Sequence, residues 1–581
     1  MSVFEVVKTE KDLESLKRKI MREDILYKDI LRIRAKLNNP TDKSKTTPEH
    51  IFSPYEKGDR KQIRKMPTNP EMLELYEELV LFGAEIDDKN VRQLLKRLKV
   101  RSNSGVAVIS LLTKPYACPG KCIYCPTERN MPKSYLSKEP AAARALANDF
   151  DPYKQVWSRL KALEMNGHPT DKIEMILIGG TFDFYPREYQ EEFIKEAFRA
   201  CNNWGEFEEN YLKKGEKNLN ELHNINENSN CRIIGLSVET RPDYISFKEL
   251  DWLRNLGITK VEIGVQHLNQ HVLDFNKRDM TVESMEEASE ILRDSGFKFV
   301  YHMMPNLPES NEDMDVQMFK DLYNGKFHHP DMLKIYPCVI LETTELYDMW
   351  KKAEANNYKV NREAREDTLG YKPYDDETLA NVLSSCEKEV KNYTRIIRMI
   401  RDIPADYIIA SSKKSNLREV VDVMHKKEGY VKQDIRAREI RDIEIEKKDF
   451  TLTDTIYETE RGEEHFLQFE NKNENHLAAF CRLRLPKGLS DVELAGLPNL
   501  KVLVGVALIR ELHTYGTIKR VGEEGSQGQH IGFGSKLLIE AEKIAKEKGY
   551  KKLAIIAGVG VRPYYQNRGY HLAGTYMVKE I

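Results

Sequence analysis

At 581 residues the chain is too long for one hydrophobic core, and its length predicts about three or four domains. Lys and Arg number 91 against 93 Asp and Glu, a formal net charge of −2, which argues neither for nor against a nucleic-acid partner and leaves that to local distribution. Eight cysteines, three of them within one octapeptide, exclude a disulfide framework and point to a reducing compartment with a metal site. Residues Met1 to Lys8 lack a signal-peptide apolar core, and no stretch approaches the ~20 apolar residues of a membrane span, so a soluble, cytoplasmic protein with no membrane partner is expected.

From about Lys17 to Arg101 the chain reads as helices joined by Pro-rich loops. Arg32, Arg34, Lys36, Lys43 and Lys45 make a basic stripe, followed by Arg60-Lys61 and Arg64-Lys65. Such groups contact phosphates, yet acids are interspersed throughout, and charge alone favours a solvated face. Asn38 to Pro48 is a turn-rich linker, and Glu71 to Phe82 is an amphipathic helix whose apolar stripe reads as core.

Beyond it, apolar runs alternate with amphipathic stretches. Val106–Leu112, Ile173–Ile178, Arg232–Val238, Lys260–Val265, Lys298–Met303 and Met332–Tyr336 read as strands. Ala141–Met165, Glu188–Ala200, Phe247–Leu256, Glu283–Asp294 and Asp313–Leu322 read as helices between them. Six βα units imply a parallel sheet curved into a full or partial barrel, with its site at the strands' C-terminal ends. Asn202 to Asn230 reads as a polar insertion without chemistry.

Directly after the first strand, Cys118, Cys122 and Cys125 stand in C-x3-C-x2-C spacing. Three thiolates hold three corners of a [4Fe-4S] cluster and leave one iron open, whereas a structural zinc site takes four protein ligands. This loop after strand one of a six-unit barrel resembles the radical S-adenosylmethionine (SAM) superfamily. That resemblance implies that the open iron binds SAM, whose reductive cleavage gives a 5′-deoxyadenosyl radical. Gly179 and Gly180, in Ile178-Gly-Gly-Thr181, resemble the superfamily's Gly-Gly-Glu motif, with Thr181 departing at the third position; a plain glycine turn explains them equally well on local grounds. Glu239 and Arg241 end the third strand, suited to a ribose or amino contact and to a carboxylate or phosphate respectively. Gln266 and the loop Asn276–Thr281 resemble the superfamily's fourth unit. His302 is left unassigned, since a lone strand-end His more often makes a structural hydrogen bond.

Thr378 to Arg441 reads as a connecting segment, helical and then strand-like. Arg395, Arg398 and Arg401, at three-residue spacing, are expected on successive helical turns facing one side, as a phosphate track requires; a salt-bridged surface helix is the alternative. Cys338, Cys386 and His425 leave a structural zinc open without a ligand signature, and Gln433 stands where eukaryotic members of the family named below are expected to have Cys.

From about Ile443 an antiparallel sheet is expected: Glu464–Glu470, a turn over residues 471–475, His476–Leu485 and Val502–Leu512. Gln529, Gly532 and Gly534 make a Q-x-x-G-x-G loop that opens a helix running to about Lys548, a diphosphate cradle by its free N–H groups, with Leu553–Ala557 as the next strand. In that context the loop resembles the acetyl-CoA loop of GNAT N-acetyltransferases, a helix cap being the alternative.

The whole chain resembles the Elongator catalytic-subunit family in its prokaryotic, archaeal form. Cys-Ile-Tyr-Cys-Pro126, Asp151-Pro-Tyr153, Ser-Val-Glu-Thr-Arg-Pro-Asp243, His-Met-Met-Pro305, Arg-Asp-Ile-Pro404 and Glu-Leu-His513 carry the likeness. It implies an α/β protein. A basic helical segment spans residues 1–100, a partial (β/α)6 radical SAM barrel 101–376, a connecting segment 377–442 and a GNAT α+β domain 443–581. It implies an acyltransferase that uses acetyl-CoA and SAM to carboxymethylate C5 of a tRNA wobble uridine. By the same resemblance, Lys172, Glu511, Leu512, His513, Thr514, Phe533, Gly534, Ser535 and Tyr565 contact acetyl-CoA, with Lys172, Tyr564 and Tyr565 catalytic. Arg32, Arg34, Lys36, Arg395, Arg398 and Arg401 become tRNA contacts, and aromatic or Arg stacking of an unstacked base is expected near the barrel mouth. A homodimer is left open, and further Elongator subunits are not required. The rival functions are a protein lysine acetyltransferase with a structural Fe-S domain and a non-catalytic RNA-binding scaffold.

Overall fold

The computed structural model describes residues 105–205, 217–355, 371–414, 416–440, 447–515 and 532–581, with residues 72, 73, 76, 77 and 80 of a helix nearer the N-terminus. Contacts divide the chain into two units, residues 1–102 with 158–170, and residues 103–157 with 171–581. In the first, Met72, Leu73 and Tyr76 are buried at helical spacing, as the apolar stripe over residues 71–82 requires. Arg32, Arg34 and Lys36 lie outside the described residues.

The second unit is built on two sheets. Strands β1 (Ala107–Leu112), β2 (Lys172–Ile178), β3 (Arg232–Thr240), β4 (Lys260–Gln266), β5 (Lys298–Met303) and β6 (Met332–Ile335) pair in parallel in that order. After the short β7 (Ile340–Leu341), a seventh strand, β8 (Arg395–Arg398), pairs in parallel with β6. β1 and β8 are edges, so the barrel is partial. β7 pairs with β9 (Ile408–Ala410) in a separate ribbon.

Along β2 the side chains alternate between a buried face, with Ile173, Met175 and Leu177, and a half-buried one with Lys172, Glu174, Ile176 and Ile178. This is the two-residue period of a strand packed on one side and facing a lumen on the other. Glu174 crosses over β3 at Gly235, where a side chain would lie 3.7 Å from its Cγ, to pair with Lys260 on β4. Lys260 holds the Glu174 carboxyl down at about 2. Because its pKa is lowered on folding, the stability Glu174 contributes is full above the ordinary carboxylate range and is lost as pH falls from about 4.5 toward 2. Glu174→Gln is therefore expected to flatten the acid limb of thermal stability in that window, in a melting series against pH.

The expected helix Ala141–Met165 is two helices, Pro140–Ala147 and Pro152–Met165. Asp149 and Phe150 adopt positive φ (54° and 57°) between them, and Pro152 opens the second. Among its described residues, the polar insertion contains the helix Leu219–Asn226, entered through a capping box of Asn218 and Glu221.

A larger correction concerns Arg395, Arg398 and Arg401, which share no helix. The β-branched pair Ile396-Ile397 extends at the edge of β6, where Arg395 partners Met332 and, after a register shift, Arg398 partners Lys334, so the spacing belongs to a bulged strand and not to helical turns. Arg395 pairs with Glu439 at 2.7 Å, and Arg401 is held by Glu139 at 2.8 Å. Arg398, 48% exposed, pairs with Asp402 at 3.0 Å.

The C-terminal sheet runs β10 (Thr451–Thr459), β11 (Gly462–Asn471), β12 (His476–Pro486), β13 (Ala507–Thr514), β14 (Lys552–Ile555), β16 (Tyr576–Glu580) and β15 (His571–Ala573). Pairing is antiparallel except between β13 and β14. The strand expected over Val502–Leu512 begins only at Ala507, because Lys501–Leu503 forms a 3-10 turn and Gly505 takes φ +68°.

This sheet docks against the N-terminal ends of the barrel strands through buried ion pairs. Asp331, just before β6, receives both Nη atoms of Arg510 at 2.5 and 2.8 Å, and Arg482 at 3.5 Å. Arg484 reaches Asp294 at 2.7 Å and Glu290 at 3.2 Å, while Glu464 closes on Arg510 at 3.1 Å. Gly558 and Gly560 complete the contact: a Cβ on Gly558 would sit 2.0 Å from the Ile234 carbonyl oxygen, and one on Gly560 2.6 Å from the Arg232 Cβ. Among the described residues, no helix is long and apolar enough to cross a membrane.

Candidate functional site: a cysteine loop and a glycine fork at opposite ends of the barrel

The cysteine loop leaves β1 at the C-terminal end of the sheet. Ile123 anchors it: its N–H donates to the Asn276 carbonyl at 3.3 Å, its carbonyl accepts from Leu346, and its side chain packs among Val272, Leu307, Ile340 and Leu346. Cys122 is buried, Cys118 and Cys125 half-buried, and all are free thiols. Arg278 Nη1 donates to Cys122 Sγ at 3.4 Å. Burial works to raise the Cys122 thiol, but Arg278, with Tyr124 and Arg241, brings it below its ordinary value. Burial and the neighbouring Cys122 instead push Cys125 up to about 12.

Arg241 lies against the same loop. Its Nε and Nη2 are taken by Asp243 and by the Arg278 carbonyl, leaving Nη1 buried without an acceptor. A Cβ on Gly120 would lie 2.7 Å from that Nη1 and 3.7 Å from the sulfurs of both Cys118 and Cys122. The crook of the loop is thus a space that one methyl group would fill, bounded by two sulfurs and a donor wanting an anion.

Beside it, Gly179 and Gly180 hold φ +141° and +96°, and a Cβ on Gly179 would collide with Thr113 Oγ1 at 1.9 Å, so the glycine turn is obligatory. The Gly179 N–H points to Glu239 Oε2 at 3.4 Å, and Tyr135 donates to that same oxygen at 2.5 Å. Gln266 takes φ +71°, with its Oε1 buried and unpartnered. Thr181, in place of the expected acid, sits 3.9 Å from Cys118 Sγ. Cys118, Cys122, Cys125, Gly179, Gly180, Glu239, Arg241 and Gln266 therefore all sit at the strands' C-terminal ends.

The donor set fits an iron-sulfur cluster better than one ion. Ligands around a single tetrahedral zinc lie about 4 Å apart. Among the described residues, three His, Cys, Asp or Glu ligand atoms come within 4.8 Å of one another at Glu239, Glu262 and His302, not at the three cysteines. At that other group Lys334 donates to Glu262, so an ammonium already stands there as counter-charge. His302 Nε2 bonds Glu262 at 2.9 Å, the structural hydrogen bond weighed for a strand-end histidine.

The zinc candidates do not gather among the described residues. His425 bonds Ser384 Oγ at 2.9 Å, the Cys386 thiol points to the Asp315 carbonyl at 3.6 Å, Cys338 is buried beneath the cysteine loop, and Gln433 bonds the Val431 carbonyl.

At the far end of the barrel, β13 continues to Thr514, while among the described residues its pairing with β14 covers Ala507–Ile509, so the two strands fork beyond that point. Gly532, at φ +83°, caps the helix Phe533–Glu547, whose first turn faces this fork. A Cβ on Gly534 would lie 3.3 Å from Thr514 Cγ2 and 3.4 Å from the Tyr564 hydroxyl. Ser535 accepts from Arg568, whose guanidinium lies over the Tyr564 ring, and Phe533 stacks on Phe469. Tyr565 is buried beside Tyr564, their rings perpendicular at 5.1 Å, and burial raises its phenol.

Glu511 bonds Arg482 at 3.0 Å and approaches Lys298 at 3.7 Å; burial opposes its charge, and Lys298 and Arg482 hold the carboxyl below its ordinary value. His513 stacks on Phe480 and meets Tyr515 at a tilt of 50°, with Nε2 buried and unpartnered among the described residues, and burial lowers its pKa. Leu512 on β13 pairs with Cys481 on the neighbouring β12, and Gln529 lies outside the described residues. Lys172 opens β2 on this side, one strand length, about 20 Å, from the Gly179 turn. The fold thus gathers the two sets of residues separately and does not bring Lys172 to the cysteine loop.

Sequence reasoning passed over Arg278 and Tyr135. The first lay inside the loop Asn276–Thr281 already singled out; the second is found only through the strand-end carboxylate it reaches.

An open parallel barrel with three cysteines on its first loop defines a radical SAM protein, and the Radical SAM superfamily model matches residues 112–322, followed by the Radical_SAM C-terminal domain over 330–427. The tRNA uridine(34) acetyltransferase of Methanocaldococcus infernus is 38% identical over 92% of this chain and 98% of its own. Elongator complex protein 3 of Homo sapiens is 32% identical over 91% and 95%. The solved archaeal Methanocaldococcus infernus Elp3, with residues 1–46 deleted, superposes at TM-score 0.66 and 36% identity, covering 82% of this chain and 100% of that one. The chain belongs to the tRNA uridine(34) acetyltransferase and Elongator complex protein 3 family.

Proposed function

We propose that this protein modifies C5 of a tRNA wobble uridine, taking a carboxymethyl carbon from acetyl-CoA by radical SAM chemistry. The observation that carries the reading is that one chain, aligned over 98% of an archaeal relative named for uridine-34 acetyltransfer, carries both the three-cysteine loop and the glycine fork. When bound, the cluster and SAM supply one-electron cleavage to a carbon radical, and acetyl-CoA supplies the carbon.

The chain's own residues bind and orient. Cys118, Cys122 and Cys125 hold the cluster, with Arg278 offsetting negative charge at Cys122. Arg241 offers its unpaired Nη1 to the SAM carboxylate, and Gly179, Gly180, Glu239 and Gln266 line the adjoining turn. On the other side, Gly532, Phe533, Gly534 and Ser535 would cradle the diphosphate, and Glu511, Leu512, His513 and Thr514, beyond the pairing of β13 with β14, would contact the rest of acetyl-CoA. The Tyr564 hydroxyl, beside Gly534, donates to the thiolate leaving group, with Tyr565 packed behind it. Lys172, at the lumen entrance on that side, would contact acetyl-CoA from the barrel. Arg398 and the basic segment with Arg32, Arg34 and Lys36 are the proposed tRNA contacts; Arg395 and Arg401, engaged by Glu439 and Glu139, are weaker ones.

The test is nucleoside mass spectrometry of tRNA after anaerobic incubation of reconstituted protein with SAM, acetyl-CoA and a reductant. The expected product is 5-carboxymethyluridine, dependent on each component. Acetylated lysine peptides without 5′-deoxyadenosine would support a protein acetyltransferase instead, and tRNA binding without any product a scaffold.

A further inference from the structure

The cysteine loop carries a feature with no part in holding the cluster. Tyr116, two residues before Cys118, is 41% exposed at the barrel mouth, yet it is the outer member of an ordered aromatic stack. Its ring lies on Tyr185 at 4.8 Å and 27°, and Tyr185 lies on Tyr189 at 5.0 Å and 26°. Phe184 flanks Tyr116 at 6.0 Å and meets Tyr244 edge-on.

The inner rings are fixed at their polar ends. The Tyr185 hydroxyl bonds Thr113 Oγ1 at 2.9 Å and the Lys114 carbonyl at 2.7 Å, and the Tyr189 hydroxyl accepts the Lys114 N–H at 3.0 Å. Tyr185 thus supports one face of Tyr116 from a position its own hydrogen bonds dictate. A rigid stack that leaves one aromatic face in water is a platform for another flat ring, because stacking there costs little ordering entropy.

We propose that Tyr116 is the stacking platform for one unstacked base of the RNA substrate, resting on the tRNA reading above. A nucleobase could also reach this face as the adenine of SAM. Charge favours the RNA: Lys114, whose ammonium lies 4.5 Å from the centre of the Tyr189 ring in the same stack, and Lys121 are exposed, flank Tyr116 along the chain and have no ion pair among the described residues. Exposed lysines without carboxylate partners near an aromatic stack suit a phosphodiester, which SAM lacks. The platform stands beside Cys118, where a base splayed from an anticodon loop must come to meet chemistry at the cluster.

The experiment uses full-length reconstituted protein and an anticodon stem-loop RNA carrying 2-aminopurine at the wobble position, whose fluorescence is quenched by stacking. Wild type is expected to quench it. Tyr116→Ala should remove the quench and raise the RNA Kd about tenfold, Tyr116→Phe should keep both, and SAM affinity by equilibrium dialysis should not change in either. An unchanged Kd and quench in Tyr116→Ala would overturn the platform, and a loss of SAM affinity with RNA binding intact would give the face to adenine. Wild type that binds the stem-loop without quench overturns the platform alone. Wild type that fails to bind the RNA overturns it together with the tRNA reading.

Discussion

Cys122→Ser is expected to reduce 5′-deoxyadenosine formation from SAM by more than the ~10–100-fold that outer-sphere changes cost at metal sites, because it removes a ligand outright. Cys122 is the buried member of the set and the one whose sulfur receives the Arg278 guanidinium. A serine hydroxyl is nearly isosteric, so the loop, pinned by Ile123 to Asn276 and Leu346, should keep its shape while the cluster loses a corner. Iron content and the cluster's visible absorption should fall together with turnover, whereas acetyl-CoA binding at the opposite end of the barrel should persist. A Cys122→Ser protein that still cleaves SAM at the wild-type rate would mean that the cluster is held elsewhere.

Asp331→Ala should destabilise the protein by about 3–5 kcal/mol, the cost of leaving buried charge uncompensated. Asp331 is fully buried and receives Arg510 through two hydrogen bonds, with Arg482 at 3.5 Å; Arg510 and Arg482 are themselves buried. These arginines belong to the C-terminal sheet and Asp331 to the barrel, so the change strikes the junction between the two sheets. Replacing both partners, as in Asp331→Leu with Arg510→Met, should recover much of the loss, because a buried pair exchanged for apolar packing is often neutral. Denaturant unfolding of the single and double variants measures both. Equal destabilisation in the two would show that shape, not charge, holds the junction.

How far the sequence spoke depended on the range of the forces involved. All six barrel strands from Ala107 to Ile335 are legible because an apolar alternation flanked by helices is a local pattern. The edge strand Arg395–Arg398 is not, since its four residues are too short to show a period, and the arginine spacing mimics a helix until pairing with β6 decides the matter. The cysteine loop, the glycine turns at Gly179 and Gly532, and the strand-end Glu239 and Arg241 were readable as motifs. The roles of Arg278 and Tyr135 were not, because each acts on a partner more than 100 residues away in sequence. The buried Arg482, Arg484 and Arg510 were invisible for the same reason: charged residues on strands read as solvent-facing until the acids of another domain are seen opposite them.

The fold also sharpens what the chemistry must do. The glycine fork and the cysteine loop lie at opposite ends of the barrel strands, so the proposed transfer of carbon from acetyl-CoA requires a path along the lumen past Glu174, Lys260, Glu262, His302 and Lys334. Turnover with acetyl-CoA deuterated at the methyl group tests this most directly. The account predicts deuterium in 5′-deoxyadenosine and the acetyl carbons in the modified uridine. Undeuterated 5′-deoxyadenosine formed alongside a normally modified uridine would contradict it.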